Sequence, residues 1–89
     1  IAVSDEDIIA SIPRLACATG VFAEPGAAAA FAGFIKLREQ CLIQSNESVA
    51  LVITGSGLKD INTARRSVEE PLRIRPDLTE LIALPGALP

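Results

Sequence analysis

A chain of 89 residues, 49% of them apolar and none of them methionine, is one small domain at most and buries only about 60 to 65 per cent of its unfolded surface on folding. Eight basic against eleven acidic residues give nucleic-acid phosphates no electrostatic reason to bind. No apolar run approaches the roughly 18 residues of a membrane span, and no basic stretch leading into an apolar core opens the chain. A mean hydropathy of +0.40 is rich for a small soluble domain, so some of the apolar surface is expected to meet another part of a larger protein. The lack of methionine even at position 1 fits the same expectation of a piece cut from something longer. Cys17 and Cys41 lack CxxC spacing, and there is no histidine to join them in a zinc site or a Cys–His nucleophile. Both are expected to be buried, reduced thiols acting as small hydrophobes.

In chain order, Ile1 to Val3 suit the end of a strand. Ser4 then begins SDED, with Asp7 three residues after the hydroxyl, which is a capping box. Ile8, Ile9, Ile12, Leu15 and Ala16 continue at helical spacing, and Gly20 is a natural stop. Pro13 removes a backbone donor, so a bend or loosening is expected there. Pro25 suits the first turn of a second helix, predicted from about Gly26 to Gln40 with Phe31, Phe34 and Ile35 as its bulky face. Its four alanines and Gly33 allow another backbone to come close. Ser45 to Glu47 make a polar turn, and SVALVIT at 48–54 follows without a charge. An apolar strand without alternation is covered on both faces, as in a parallel sheet. Val49, Leu51, Val52 and Ile53 are therefore expected to be nearly inaccessible in an intact parent. TGSG ends the strand where open α/β sheets bind ligands.

The order of helix, strand and glycine loop reads as part of an α/β fold whose other strands lie elsewhere. Asn62 is the expected cap of a short helix over Ala64 to Glu70, ended by Pro71. Residues 71–89 hold four of the six prolines and read as a Pro-rich tail, with Asp77 capping one further turn through Leu84.

Four stretches carry a resemblance: VSDEDII at 3–9, GVFAEPGAAAAFAG at 20–33, KLREQCLI at 36–43 and VITGSGLKD at 52–60. In this order and at about this spacing the chain resembles the C-terminal segment of threonine synthases, which are fold type II pyridoxal-phosphate enzymes. The glutamate–proline–alanine helix start is shared across that fold type, including serine and threonine dehydratases. The TGxGLKD ending resembles the threonine synthase branch more narrowly. Departures are Ser56 where histidine is usual, Ile61 where proline is usual, and Gly26–Ala27 where the order is normally alanine–glycine.

The resemblance implies a tryptophan synthase beta-like α/β fold, with residues 1–89 forming one segment of helices plus a buried parallel-sheet strand. It implies pyridoxal 5'-phosphate as cofactor and conversion of O-phospho-L-homoserine and water to L-threonine and phosphate. A cytoplasmic homo-oligomer completed by the remainder of the parent enzyme is expected. In such enzymes a serine or threonine ending a C-terminal strand faces the pyridine nitrogen, and Thr54 is the matching position. Gly55 and Gly57 either let backbone pass close to the ring edge or turn the chain at a strand end.

GSGLK lacks the GxxxxGK[ST] spacing of a phosphate loop. Lys59 resembles a lysine outside the cofactor-carrying role, expected to be solvated or paired with Asp60, since the cofactor's lysine and the phosphate-gripping loops lie upstream in this family. Glu24 reads as a first-turn acid favoured by the helix dipole, or as a residue shaping the pocket or a domain interface. The chain alone is expected to be inactive. Two other readings remain: a fragment of a serine/threonine dehydratase-like enzyme, or a non-catalytic assembly or binding module.

Overall fold

The computed structural model describes residues 1–86, so the last three residues of the Pro-rich tail lie outside it. Two fifteen-residue helices, α1 (Asp5–Thr19) and α2 (Pro25–Glu39), make the body of the fold. They are followed by a 3-10 turn (Gly57–Lys59) and two six-residue helices, α3 (Ile61–Arg66) and α4 (Leu78–Ala83).

The start of α1 follows from its local chemistry. The Asp7 amide donates to the Ser4 hydroxyl at 3.1 Å, and the Ser4 amide donates back to the Asp7 carboxylate at 3.3 Å. Three acids lie in the first turn, where the helix dipole favours them. Gly20 ends the helix in the left-handed region at φ 76°, its amide bonded to the Ala16 carbonyl. The helix runs through Pro13.

The core is built from small residues. Ile12 and Leu15 of α1 pack with Ala23, Ala27 and Ala28, while Ile8, Phe31 and Ile53 lie against the edge of this cluster. The buried face of α2 is thus Ala27, Ala28, Ala32 and Gly33, and not the expected Phe31, Phe34 and Ile35, which are only half-buried. Phe31 and Phe34 stack on each other with ring centroids 6.3 Å apart. The alanine stripe brings the α1 and α2 backbones close enough for the buried Ser11 hydroxyl to donate to the Ala28 carbonyl at 3.2 Å as well as to Ile8 at 2.7 Å. Ile1 to Val3 form no strand. They are held to α2 instead, with the Lys36 ammonium on the Ala2 carbonyl at 2.7 Å and the Ile1 side chain over Gly33.

The apolar segment at 48–54 is in no strand, and no strand occurs among the described residues. Its burial alternates: Leu51, Ile53 and Gly55 turn inward, and Ala50, Val52 and Thr54 turn to solvent. That is the period of an extended chain. Val49 and Val52 are 46% and 74% exposed. A strand needs a neighbour for its ladder, and the only pairing among the described residues is one antiparallel bridge, between Ala23 and Ser56. The buried, parallel strand read from the sequence is therefore not formed within this chain.

Other departures are local. Helix α3 starts earlier than expected because the Asp60 carboxylate, and not Asn62, accepts the Thr63 amide at 3.0 Å. It ends at Arg66, short of Glu70. Asp77 caps α4 as expected. Arg75 pairs with Glu80 across an exposed turn, a contact worth little in water. Cys17 and Cys41 are exposed and free. Cys17 stands on the side of α1 opposite the buried Ser11, Ile12 and Leu15.

Cys41 closes α2 at φ 56°. Its amide bonds the Arg38 carbonyl at 3.0 Å and the Leu42 amide bonds that of Leu37 at 2.9 Å. This is a Schellman turn with cysteine in the left-handed position that glycine usually fills. A Cβ in that conformation costs roughly 1–2 kcal/mol, part of which glycine's greater freedom in the unfolded chain returns. Replacing Cys41→Gly is expected to stabilise the chain by up to about 1 kcal/mol, measured as a higher urea midpoint with unchanged slope.

Candidate functional site

The Thr54–Gly57 loop is held against the connector between α1 and α2. The Glu24 amide donates to the Gly55 carbonyl at 3.0 Å, and the Gly57 amide donates to the Phe22 carbonyl at 3.0 Å. These two bonds flank the Ala23–Ser56 bridge, and Ala23 is fully buried beneath it.

The absence of a side chain at each glycine is used within the chain. A Cβ on Gly55 would overlap the Glu24 carboxylate, and one on Gly57 would overlap the Phe22 ring. Neither glycine has a positive φ, so close approach, not backbone freedom, is what requires them. The two readings left open by the sequence thus acquire a third element, the connector side chains, that the sequence did not signal.

Thr54 precedes this clasp. Ile53 packs against the core cluster, so alternation turns the Thr54 hydroxyl to the opposite, solvent-facing side. Of the three candidate residues, Gly57 is buried, Gly55 half-buried and Thr54 exposed. The arrangement offers one hydroxyl beside bare backbone at the rim of the fold. That fits a single point on the edge of a planar ring.

It does not fit a phosphate cradle. The Gly57 amide is bonded to Phe22, the Leu58 amide to the Ser56 hydroxyl at 3.3 Å, and the Lys59 and Asp60 amides to the Ser56 and Gly57 carbonyls. The Ser56 side chain is thereby occupied in capping the 3-10 turn. Lys59 is exposed, and Asp60 serves α3. Lys36 is held at the far end of α2 on the Ala2 carbonyl.

A groove of about 440 Å³ runs between α1 and α3, lined mainly by apolar groups including Ile12, Ala16, Phe22, Ile61 and Val68, with Cys17 at its side. A second of about 310 Å³ lies between the N-terminus, α2 and the 43–51 segment, where Phe34, Leu37, Val49 and Leu51 meet. No helix is long and apolar enough to cross a membrane among the described residues.

Two carboxylates are held below their ordinary range. The Ser4 hydroxyl and amide lower Asp7, with Lys36 adding a smaller attraction, and bonds from Thr63 lower Asp60, with Arg66 adding a smaller one. A group whose folded pKa is depressed contributes stability that is complete above its unfolded value and is lost as pH falls through the folded one. Acidification below the ordinary value of 3.8 is therefore expected to fray the first turns of α1 and α3 before the core opens, read from the Asp7 and Thr63 amide shifts. Gly57→Ala is expected to displace the Phe22 ring. Phe22 is 37% exposed, so its ring has solvent to move into, and the loss is expected near the low end of overpacking, about 1 kcal/mol, in a melting experiment.

No family model matches the chain. It is 41% identical over 80 residues to threonine synthase of Methanocaldococcus jannaschii, which takes in 90% of this chain and 20% of that one. It is 50% identical over 62 residues to threonine synthase of Bacillus sp. (strain ULM1), 70% of this chain and 18% of the relative. With threonine synthase of Synechocystis sp. it shares 36% over 83 residues, 91% of this chain and 21% of the relative. The chain spans about a fifth of the length of the relatives it matches, a coverage consistent with the C-terminal segment that the four motifs imply. With identities of 36 to 50% over most of its length, the chain matches one segment of the threonine synthases.

Proposed function

We propose that this chain is the C-terminal part of a pyridoxal-phosphate-dependent threonine synthase that converts O-phospho-L-homoserine and water to L-threonine and phosphate. The observation carrying the proposal is 41% identity over 90% of the chain to an enzyme of that name. In this reading residues 1–89 are one segment of a larger fold type II, tryptophan synthase beta-like domain, and 71–89 are its Pro-rich tail. The 49–54 segment becomes a parallel-sheet strand once its neighbours are present. The outward Ala50, Val52 and Thr54 and the unpaired backbone beside them are what such neighbours would cover. The parent is read as a cytoplasmic homo-oligomer.

The chemistry divides between the cofactor and this chain. Pyridoxal phosphate, when bound, withdraws electrons from the reacting carbon of the substrate through its ring. The part assigned to Thr54 is a neutral hydroxyl facing the ring nitrogen, a partner that does not hold a proton there as a carboxylate does. Gly55 and Gly57 let bare loop backbone lie beside the ring edge, Gly55 with the Glu24 carboxylate where its own side chain would stand and Gly57 fixed on Phe22. Lys36 is tied to the N-terminal strap and Lys59 stands on an exposed turn, so the group that carries the cofactor is assigned to the remainder of the parent, as are the phosphate grips.

Three outcomes are expected. The chain alone, mixed with pyridoxal phosphate, gives no stoichiometric borohydride-trappable lysine adduct. The full-length parent turns over O-phospho-L-homoserine in preference to dehydrating threonine. Thr54→Ala in that parent lowers turnover without unfolding it, because losing one exposed hydroxyl costs about 0.5–1.5 kcal/mol of hydrogen bonding at most. A trapped adduct on Lys36 or Lys59 of the chain alone, or an unchanged turnover rate in Thr54→Ala, would overturn the assignment.

A further inference from the structure

We propose that Glu24 is a positioning residue for Thr54, acting through Gly55; the inference rests on the reading that Thr54 faces the ring nitrogen. Glu24 occupies the N-cap of α2 in an extended conformation, yet its side chain makes no capping bond. Serine, threonine, aspartate or asparagine would bond the helix amides there; the helix dipole favours any acid at this end but does not account for a longer side chain turned away from those amides. The side chain is turned instead onto the loop, with its carboxylate and Cγ filling the space that a Cβ on Gly55 would take.

The backbone of Glu24 holds the same residue. Its amide donates to the Gly55 carbonyl at 3.0 Å while its own carbonyl accepts the Ala28 amide at 2.8 Å, in the first turn of α2. Gly55 is therefore gripped from two sides by a residue rooted in the helix pair, immediately after Thr54. On the other side of Thr54, Ile53 is packed against the core cluster. The hydroxyl is suspended between two anchors, and Glu24 sets one of them. A misplacement of the order of 1 Å at such a group is enough to slow a reaction substantially.

The test uses the full-length parent carrying Glu24→Ala, Gly55→Ala and both together. A methyl on Gly55 must push the Glu24 side chain away, so both single variants remove the same contact. Each is expected to lower kcat by about tenfold with KM little changed, and to alter the circular dichroism of the bound cofactor. The double variant is expected to lose no more than the worse single, because the contact is removed once. In the cofactor-free parent, hydrogen exchange of the Glu24 amide is expected to quicken in all three. Glu24→Asp, shorter by one methylene and retaining the charge, is expected to give a smaller loss in the same direction and serves if an alanine variant does not fold.

Losses that add in the double variant, or a Glu24→Asp parent with unaltered kcat and cofactor dichroism, would overturn the proposal. If Thr54→Ala slows the parent while the Glu24 and Gly55 variants do not, the positioning role alone fails. If Thr54→Ala leaves the rate unchanged, the reading of Thr54 falls and this inference with it.

Discussion

The loop at 54–57 keeps its place through one short clasp: two backbone hydrogen bonds to the connector at 22–24, with a glycine at each end of the clasp. The clasp is antiparallel and a single bridge long, too short to count as sheet, so its strength comes from what lies on either side. Ala23 is fully buried beneath it, Phe22 and Glu24 cover the two glycines, and the helix pair holds the connector. Because the 49–53 segment enters the loop from one side and α3 leaves it from the other, the orientation of Thr54 and the start of α3 both depend on this contact.

Small side chains make the clasp possible. The inward face of α2 is alanine and glycine, so α1 approaches until a serine hydroxyl reaches the opposite helix backbone. Burial of alanine contributes little per residue compared with leucine or phenylalanine, and the core is correspondingly thin. The larger apolar groups, Phe31, Phe34, Val49, Val52, Ile61 and Val68, remain half-buried or exposed. This division suits a segment that supplies one side of a larger interior, with close helix packing inside the segment and bulky groups left for the rest of the parent.

The helices were legible in the sequence because their ends are written in local chemistry. Ser4 with Asp7, Gly20, Pro25 and Asp77 each act within four residues of the boundary they set. Where two nearby residues compete for the same role, local pattern does not rank them. Asp60, and not Asn62, caps α3, because its carboxylate lies three residues before the Thr63 amide. The strand was legible as an apolar run but not as a structure, since a ladder depends on partners that no local pattern encodes. The exposure of both cysteines has local causes: Cys17 stands on the outward side of α1, opposite Ser11, Ile12 and Leu15, and Cys41 sits in a turn whose left-handed residue is normally glycine. Of the candidate site, the order Thr-Gly-Ser-Gly was plain. The demand that Phe22 and Glu24 place on the two glycines was not, because it spans more than thirty residues of chain.

The alternation of Leu51, Ile53 and Gly55 inward with Ala50, Val52 and Thr54 outward also limits which changes in chain length the segment can absorb. Side chains on an extended segment change face with every residue. One residue inserted between Leu51 and Thr54 would turn either Ile53 out of the core or Thr54 into it. The same insertion at Ser45–Asn46, in the exposed polar turn closed by Glu47 on the Gln44 amide, would be taken up before the alternation begins. Length variation among related chains should therefore gather in that turn and be absent from the eight residues after Ser48, irrespective of how freely the individual side chains there are exchanged.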